Sequence, residues 1–122
     1  MGSCISPLIW NKLTGNNTYA DGEMAWTSFK KGTLRIYTHQ WCGAFKDSER
    51  GLKNWHPTQK PQALMEWVIG RYTDKGDIVL DPFLGSGTTV EACKLLHRNF
   101  IGIEINPDYC KVAEKRLAQG VL

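Results

Sequence analysis

With 122 residues, a formal net charge of +3, 42% hydrophobic residues and five tryptophans, the chain has the composition of one small folded domain, which buries about two thirds of its unfolded surface. No apolar run approaches the ~18 residues of a membrane span and no secretory apolar segment follows Met1, so a cytoplasmic protein is expected. Cys4, Cys42, Cys93 and Cys110 lack the paired close spacing of a zinc or redox site, so no metal is expected and the thiols should be reduced, with Cys93 and Cys110 on apolar helix faces.

In chain order, residues 5–10 predict a strand, residues 14–18 a polar turn around Gly15-Asn16-Asn17, and residues 33–39 a second strand. Residues 40–55 predict a loop long enough to carry function. Positive charge is concentrated in this half: residues 1–61 hold eight Lys/Arg against four Asp/Glu, and residues 62–122 hold seven against eight. Lys30, Lys31, Arg35, Lys46, Arg50, Lys53 and Lys60 are interleaved with Trp41, Phe45 and Trp55. Cations for phosphates and aromatics for an unstacked base suit a DNA-facing segment, to which His56 would add a contact, a satisfied turn histidine being its equal alternative; a solvated loop with its aromatics tucked into the core is the equal alternative for the segment. The division expected within a single domain is therefore 1–39 (distal strands), 40–60 (basic and aromatic loop) and 61–122 (ligand-binding half).

Pro61 opens a predicted helix through Thr73, with Leu64, Trp67, Val68 and Tyr72 as its buried stripe and Gly76 as a stop. Residues 77–81 (DIVLD) and 100–104 (FIGIE) have the apolar interior of buried parallel strands, and residues 87–97 carry Val90, Cys93, Leu96 and His97 at helical spacing between them. Two parallel strands joined by a helix require a right-handed crossover, and a ligand of such a unit binds at the carboxyl ends of the strands. A last helix starts at Asn106 as N-cap and Pro107 at the first position, with Tyr109, Val112, Ala113 and Leu117 as its apolar stripe.

Gly85 and Gly87 lack a β-carbon, so the chain can turn sharply and let a ligand approach unpaired N–H groups of the following helix. Glu104 follows Gly85 by 19 positions, close to the offset at which an acidic side chain accepts from ribose hydroxyls. Val90 stands where a dinucleotide fingerprint would place a third glycine or alanine, and no lysine follows Gly87 as a P-loop requires. The pattern favours an adenosine ligand without phosphates, against the alternative of a turn whose glycines serve packing only.

HPTQKP (56–61), DPFLGSGTT (81–89) and GIEINPDYC (102–110) together resemble three consecutive motifs of the S-adenosylmethionine-dependent DNA amino-methyltransferases, in the permuted order that puts the cofactor motifs last. TYADGEMAWTSF (18–29) is similar to a segment of their phage-type and prophage-type members. The resemblance implies an α/β, Rossmann-like fold, S-adenosyl-L-methionine as cofactor, double-stranded DNA as partner, and methylation of adenine N6 ahead of cytosine N4, although the motifs do not encode the base. It further implies that Thr58 and Lys60 meet the cofactor's carboxylate, Asp81 its amino group and Glu104 its ribose. Phe83 would pack near it and Gly85 and Gly87 would shape the floor. Thr88 and Thr89 would lie at the helix start, Ile105 would cover one face of the adenine, and Ser86 and Asn106 would complete the set. Taken alone, HPTQKP is a helix N-terminus that Thr58 could cap.

The family's Asp/Asn/Ser-Pro-Pro-aromatic tetrapeptide, which accepts the hydrogens of the target amino group, does not occur in these 122 residues. Asn106-Pro107-Asp108-Tyr109 lacks the second proline and is explained in full by helix-start signals. No catalytic residue is therefore assigned, and since losing one preorganised contact costs about 10²- to 10³-fold, the chain alone is expected not to methylate DNA at a useful rate. In the family the tetrapeptide's strand lies centrally, between the cofactor strand and the strand at 5–10. Its loss would expose two strand edges, inviting an N-terminal partner fragment with the catalytic motif, or self-association. The alternatives are a non-catalytic S-adenosylmethionine- or DNA-binding module and a nicotinamide oxidoreductase, the latter disfavoured by Val90 and by HPTQKP.

Overall fold

The computed structural model describes residues 6–15, 20–29, 32–42, 45–49 and 58–119, the side chains of Cys42 and Phe45 excepted. The chain packs as two units, Met1–Gly51 and Leu52–Leu122, so the division falls inside the stretch read from sequence as one loop. In the first unit, β1 (Leu8–Asn11) lies between β2 (Gly22–Ala25), antiparallel to it, and β3 (Arg35–Thr38), parallel to it. Leu8 and Trp10 alternate into the buried side, as the two-residue period of a strand requires. Trp10 Nε1 donates to the His39 carbonyl at 2.9 Å, satisfying the polar tip of a buried ring.

Two expectations are corrected here. The strand predicted at 5–10 was expected to have an exposed edge, but β1 is paired on both sides, by β2 and by β3. The loop predicted at 40–55 contains a short antiparallel pair, β4 (Trp41–Cys42) and β5 (Phe45–Lys46), whose two-residue strands are too short to carry an alternating pattern. β2 has no sequence signal of its own. It is held by its ladder to β1, and at Gly22 a β-carbon would collide with the Trp10 carbonyl.

The second unit runs α1 (Gln62–Tyr72), β6 (Ile78–Asp81), α2 (Thr88–Leu95), β7 (Asn99–Gly102) and α3 (Pro107–Ala118). β6 and β7 are parallel, in register from Ile78 opposite Asn99 to Asp81 opposite Gly102. Beyond the strands the pairing continues, Ile103 N donating to the Asp81 carbonyl and Leu84 N to the Ile103 carbonyl, both at 2.9 Å. The core is Ile69, Ala92 and Cys93, with Met65, Val79 and Leu96 packed against it. Pro61, fully buried, is the N-cap of α1 and no side chain caps that helix, so Thr58 does not take the capping role open to it.

Burial differs from the periodicity in instructive ways. Ile69 is the buried residue of α1, while Leu64, Trp67, Val68 and Tyr72 are half-buried. The strands are not buried on both sides: Val79 faces the helices, whereas Ile78, Leu80 and Ile101 are exposed, because the helices of this unit pack on the Val79 face. His97 lies beyond α2 at φ 58, in the left-handed conformation that ends helices, and it is exposed rather than part of an apolar stripe. Among the described residues no helix is long and apolar enough to cross a membrane.

Cys93 is fully buried and Cys110 half-buried, and neither is in a disulfide. Burial pushes the Cys93 thiol up, Arg98 opposing and nearby Asp81 reinforcing the effect. A raised thiol keeps its proton in the folded state, so its contribution is intact below the unfolded value of about 8.5 and stability is lost as pH rises above it. Alkylation at pH 8 should therefore modify Cys93 only in denaturant; rapid labelling of the native chain would contradict its burial.

Gly87 takes φ 93, and a β-carbon there would lie 2.8 Å from Ala113 Cβ; Gly76 takes φ 87 with nothing within 4 Å. Gly76→Ala carries backbone strain alone, of about 1–3 kcal/mol. Gly87→Ala adds a clash with α3 and should lower the thermal midpoint further, whereas equal shifts for the two variants would contradict the close packing of the loop on α3.

Candidate functional site

At the carboxyl ends of β6 and β7 lies a cavity of about 420 Å³, lined by Thr58, Gln59, Lys60, Met65, Asp81, Phe83, Leu84, Gly85, Ser86, Thr88, Thr89 and Glu104. Its size falls in the range of about 300–1,000 Å³ usual for small-molecule sites. Of the residues expected at the cofactor, all but Gly87, Ile105 and Asn106 contribute to this lining. Gly87 is buried behind it as the left-handed N-cap of α2. Ile105 is 97% exposed. Asn106 caps α3, its side-chain oxygen accepting from Asp108 N at 2.9 Å.

Two carboxylates shape the cavity wall by taking up backbone donors. Asp81, the last residue of β6, accepts from Phe83 N at 3.0 Å through Oδ1 and from the Thr89 hydroxyl at 2.6 Å through Oδ2, so one side chain ties both ends of the turn that leads into α2. Glu104 reaches back across the crossover. Its Oε2 accepts from Gly85 N at 2.6 Å and its Oε1 from Asn106 N at 3.0 Å. Carboxylates that accept from backbone N–H groups form charge-assisted bonds, roughly twice as strong as neutral ones. Gly85 takes φ 59, which a β-carbon would strain.

Behind the loop, Arg116 of α3 is buried. Its Nη1 donates to the Ser86 carbonyl at 2.9 Å and to Ser86 Oγ at 3.0 Å, and its Nη2 pairs with Glu91 in the first turn of α2. Ser86 Oγ in turn donates to Gln59 Oε1 at 3.2 Å, joining the glycine loop to the segment before α1. Sequence reasoning passed over Gln59, Met65, Leu84 and Arg116. Gln59 lies within the HPTQKP segment and Met65 one turn into the helix after Pro61, so position alone could have suggested them. Arg116 carried no signal, because an arginine on an amphipathic helix reads as surface.

The residues expected at DNA fare differently. Lys30, Lys31, Arg50, Lys53 and His56 lie outside the described residues. Arg35 is exposed at the start of β3. Lys46 is 9% exposed, with its ammonium 4.1 Å above the Trp41 ring. Among the described residues, no group of His, Cys, Asp and Glu is placed to hold a metal ion.

Comparison with known proteins gives the chain its relatives. Over 77 residues, 63% of the chain, it is 47% identical to the type II methyltransferase M2.DpnII of Streptococcus pneumoniae, covering 29% of that protein. Over 62 residues, 51% of the chain, it is 53% identical to the DNA adenine methyltransferase YhdJ of Escherichia coli K12, covering 21% of that protein. In three dimensions, 93% of the chain matches 60% of M1.HpyAVI in its complex with S-adenosylmethionine, with a TM-score of 0.65 and 39% identity. The chain thus spans less than a third of these curated relatives and about three fifths of that structure. Residues 9–115 match the DNA methylase family of N6 and N4 methyltransferases, and the chain belongs to that family.

Proposed function

We propose that this chain binds S-adenosylmethionine in the cavity of its second unit and supplies the cofactor-binding part of a cytoplasmic DNA amino-methyltransferase, with adenine N6 the target ahead of cytosine N4. The observation that carries the reading is the Glu104 carboxylate. It stands on the cavity wall, oriented by the Gly85 and Asn106 N–H groups, an acceptor at the carboxyl end of β7 where a ribose hydroxyl pair would lie. The donor set fits the ligand. Lys60 and Thr58 line the same cavity as partners for a carboxylate, Asp81 is an acceptor for an ammonium, and Phe83, 89% exposed, offers an apolar surface for a base. Among the described residues lining the cavity Lys60 is the single cation, which suits a nucleoside better than a pyrophosphate.

When bound, the cofactor supplies an electrophilic methyl group on a sulfonium. What the chain's own residues do is position: Asp81 and Glu104 hold the loop, the loop holds the ligand, and alignment of the reacting groups is the source of rate in such a transfer. The exocyclic nitrogen of a base is a poor nucleophile and needs acceptors for its hydrogens, which the Asp/Asn/Ser-Pro-Pro-aromatic tetrapeptide would provide. Methyl transfer in this proposal requires a segment bearing that motif, together with DNA held in part by Arg35 and by Lys30, Lys31, Arg50, Lys53 and His56.

Titration calorimetry with S-adenosylmethionine tests the proposal. A dissociation constant near micromolar, about −8 kcal/mol, is expected, weakened roughly 10- to 100-fold in Glu104→Ala through loss of hydrogen bonds to a charged group. The chain should transfer no methyl to DNA alone and should gain activity when a segment carrying the tetrapeptide is added. Cofactor binding with no transfer in either case would favour a non-catalytic binding module, and absence of binding by a folded chain, or equal binding of a nicotinamide dinucleotide, would overturn the proposal.

A further inference from the structure

We propose that Arg116 is a positioning residue of the cofactor cavity, acting through Ser86 from a helix that contributes nothing to the lining. The inference rests on the reading of the cavity as the S-adenosylmethionine site. A guanidinium taken out of water is costly unless its donors are matched. Here the matching is divided. Nη2 pairs with Glu91 on α2, while Nη1 holds the Ser86 carbonyl at 2.9 Å, Ser86 Oγ at 3.0 Å and, more weakly, Thr88 Oγ1 at 3.5 Å. An ion pair with Glu91 alone would leave the Ser86 carbonyl and hydroxyl without the guanidinium's hold. The second arm places the charge against the loop's own oxygens.

The direction of the hydrogen bonds extends the effect into the cavity. Arginine can only donate, so Ser86 Oγ accepts from Arg116 and keeps its own proton for Gln59 Oε1, at 3.2 Å. Gln59 and Ser86 both line the cavity, and Arg116 and Glu91 do not. The chain Glu91–Arg116–Ser86–Gln59 therefore ties α2, α3, the glycine loop and the segment before α1 into one unit. On the other side of the same loop, Glu104 holds Gly85 N and Asp81 holds Phe83 N. Arg116 anchors the carbonyl side of the loop as the two carboxylates anchor its amide side. Lysine at this position would keep the charge for Glu91 but has no planar fork with which to reach both partners.

The test combines S-adenosylmethionine titration with thermal melting on the full chain carrying Arg116→Lys, Ser86→Ala and both. Arg116→Lys should weaken binding about 10-fold, the cost of a charge-assisted contact, while its thermal midpoint stays within a few degrees of the parent. Because both changes break one linkage, the double variant should bind about as weakly as Arg116→Lys alone. Parental affinity in Arg116→Lys, or losses that multiply in the double variant, would overturn the proposal. If Arg116→Lys does not fold, Ser86→Ala judges the linkage by itself: about 10-fold weaker binding with faster exchange of the amides of residues 87–90 is expected, and parental affinity with unchanged exchange would overturn the proposal. If the parent chain binds no cofactor, the cofactor reading itself fails, and hydrogen exchange then judges Arg116. Faster exchange of the amides of residues 87–90 in Arg116→Lys upholds its hold on the loop, and unchanged exchange overturns it.

Discussion

One carboxylate closes the second unit of this chain. Glu104, just beyond β7, takes the N–H of Gly85 after β6 and the N–H of Asn106 at the head of α3, so the two loops that leave the parallel strands are fastened at a single point. Holding a glycine in the left-handed region has a cost to offset, since each ordered residue loses about 1–2 kcal/mol of backbone entropy.

The remaining supports act on the same loop from other directions. Asp81 ties the turn to the first turn of α2 through Thr89, Arg116 holds the carbonyl side, and Gly87 lets the chain pass within contact distance of Ala113 on α3. Polar groups do most of this work, so the site is built from hydrogen-bonded charges laid over the apolar cluster of Ile69, Ala92 and Cys93. Such a division suits binding and positioning.

Much of the second unit was legible because its order is local. The apolar strands, the glycine turn, the Asn106-Pro107 helix start and the interval from Gly85 to Glu104 all express short-range rules, and each element lies within a few residues of its expected place. What could not be read depends on partners distant in sequence. β2 forms only because β1 offers a ladder, Lys46 is packed because Trp41 lies beneath it, and Arg116 is buried because Ser86 and Glu91 await it. The exposed Ile78, Leu80 and Ile101 teach the converse: apolar content predicts that a strand can be buried, while which faces are covered depends on the helices that pack there. The residue types of the site were legible from its motifs, but the bonds already made by Asp81 and Glu104 were not, since composition says nothing about which lone pairs are occupied.

The central claim is that the loop latched by Glu104 is where the cofactor binds. Amide NMR of the full chain during addition of S-adenosylmethionine tests this most directly, because Gly85 and Asn106 donate to the carboxylate that is to receive the ribose. The account predicts that the amides of Gly85, Ser86, Gly87 and Asn106 shift in a saturable manner while those of Leu8, Ile9, Trp10 and Asn11 stay in place. Saturable shifts confined to residues away from the loop, or no shifts in a folded chain, would contradict it.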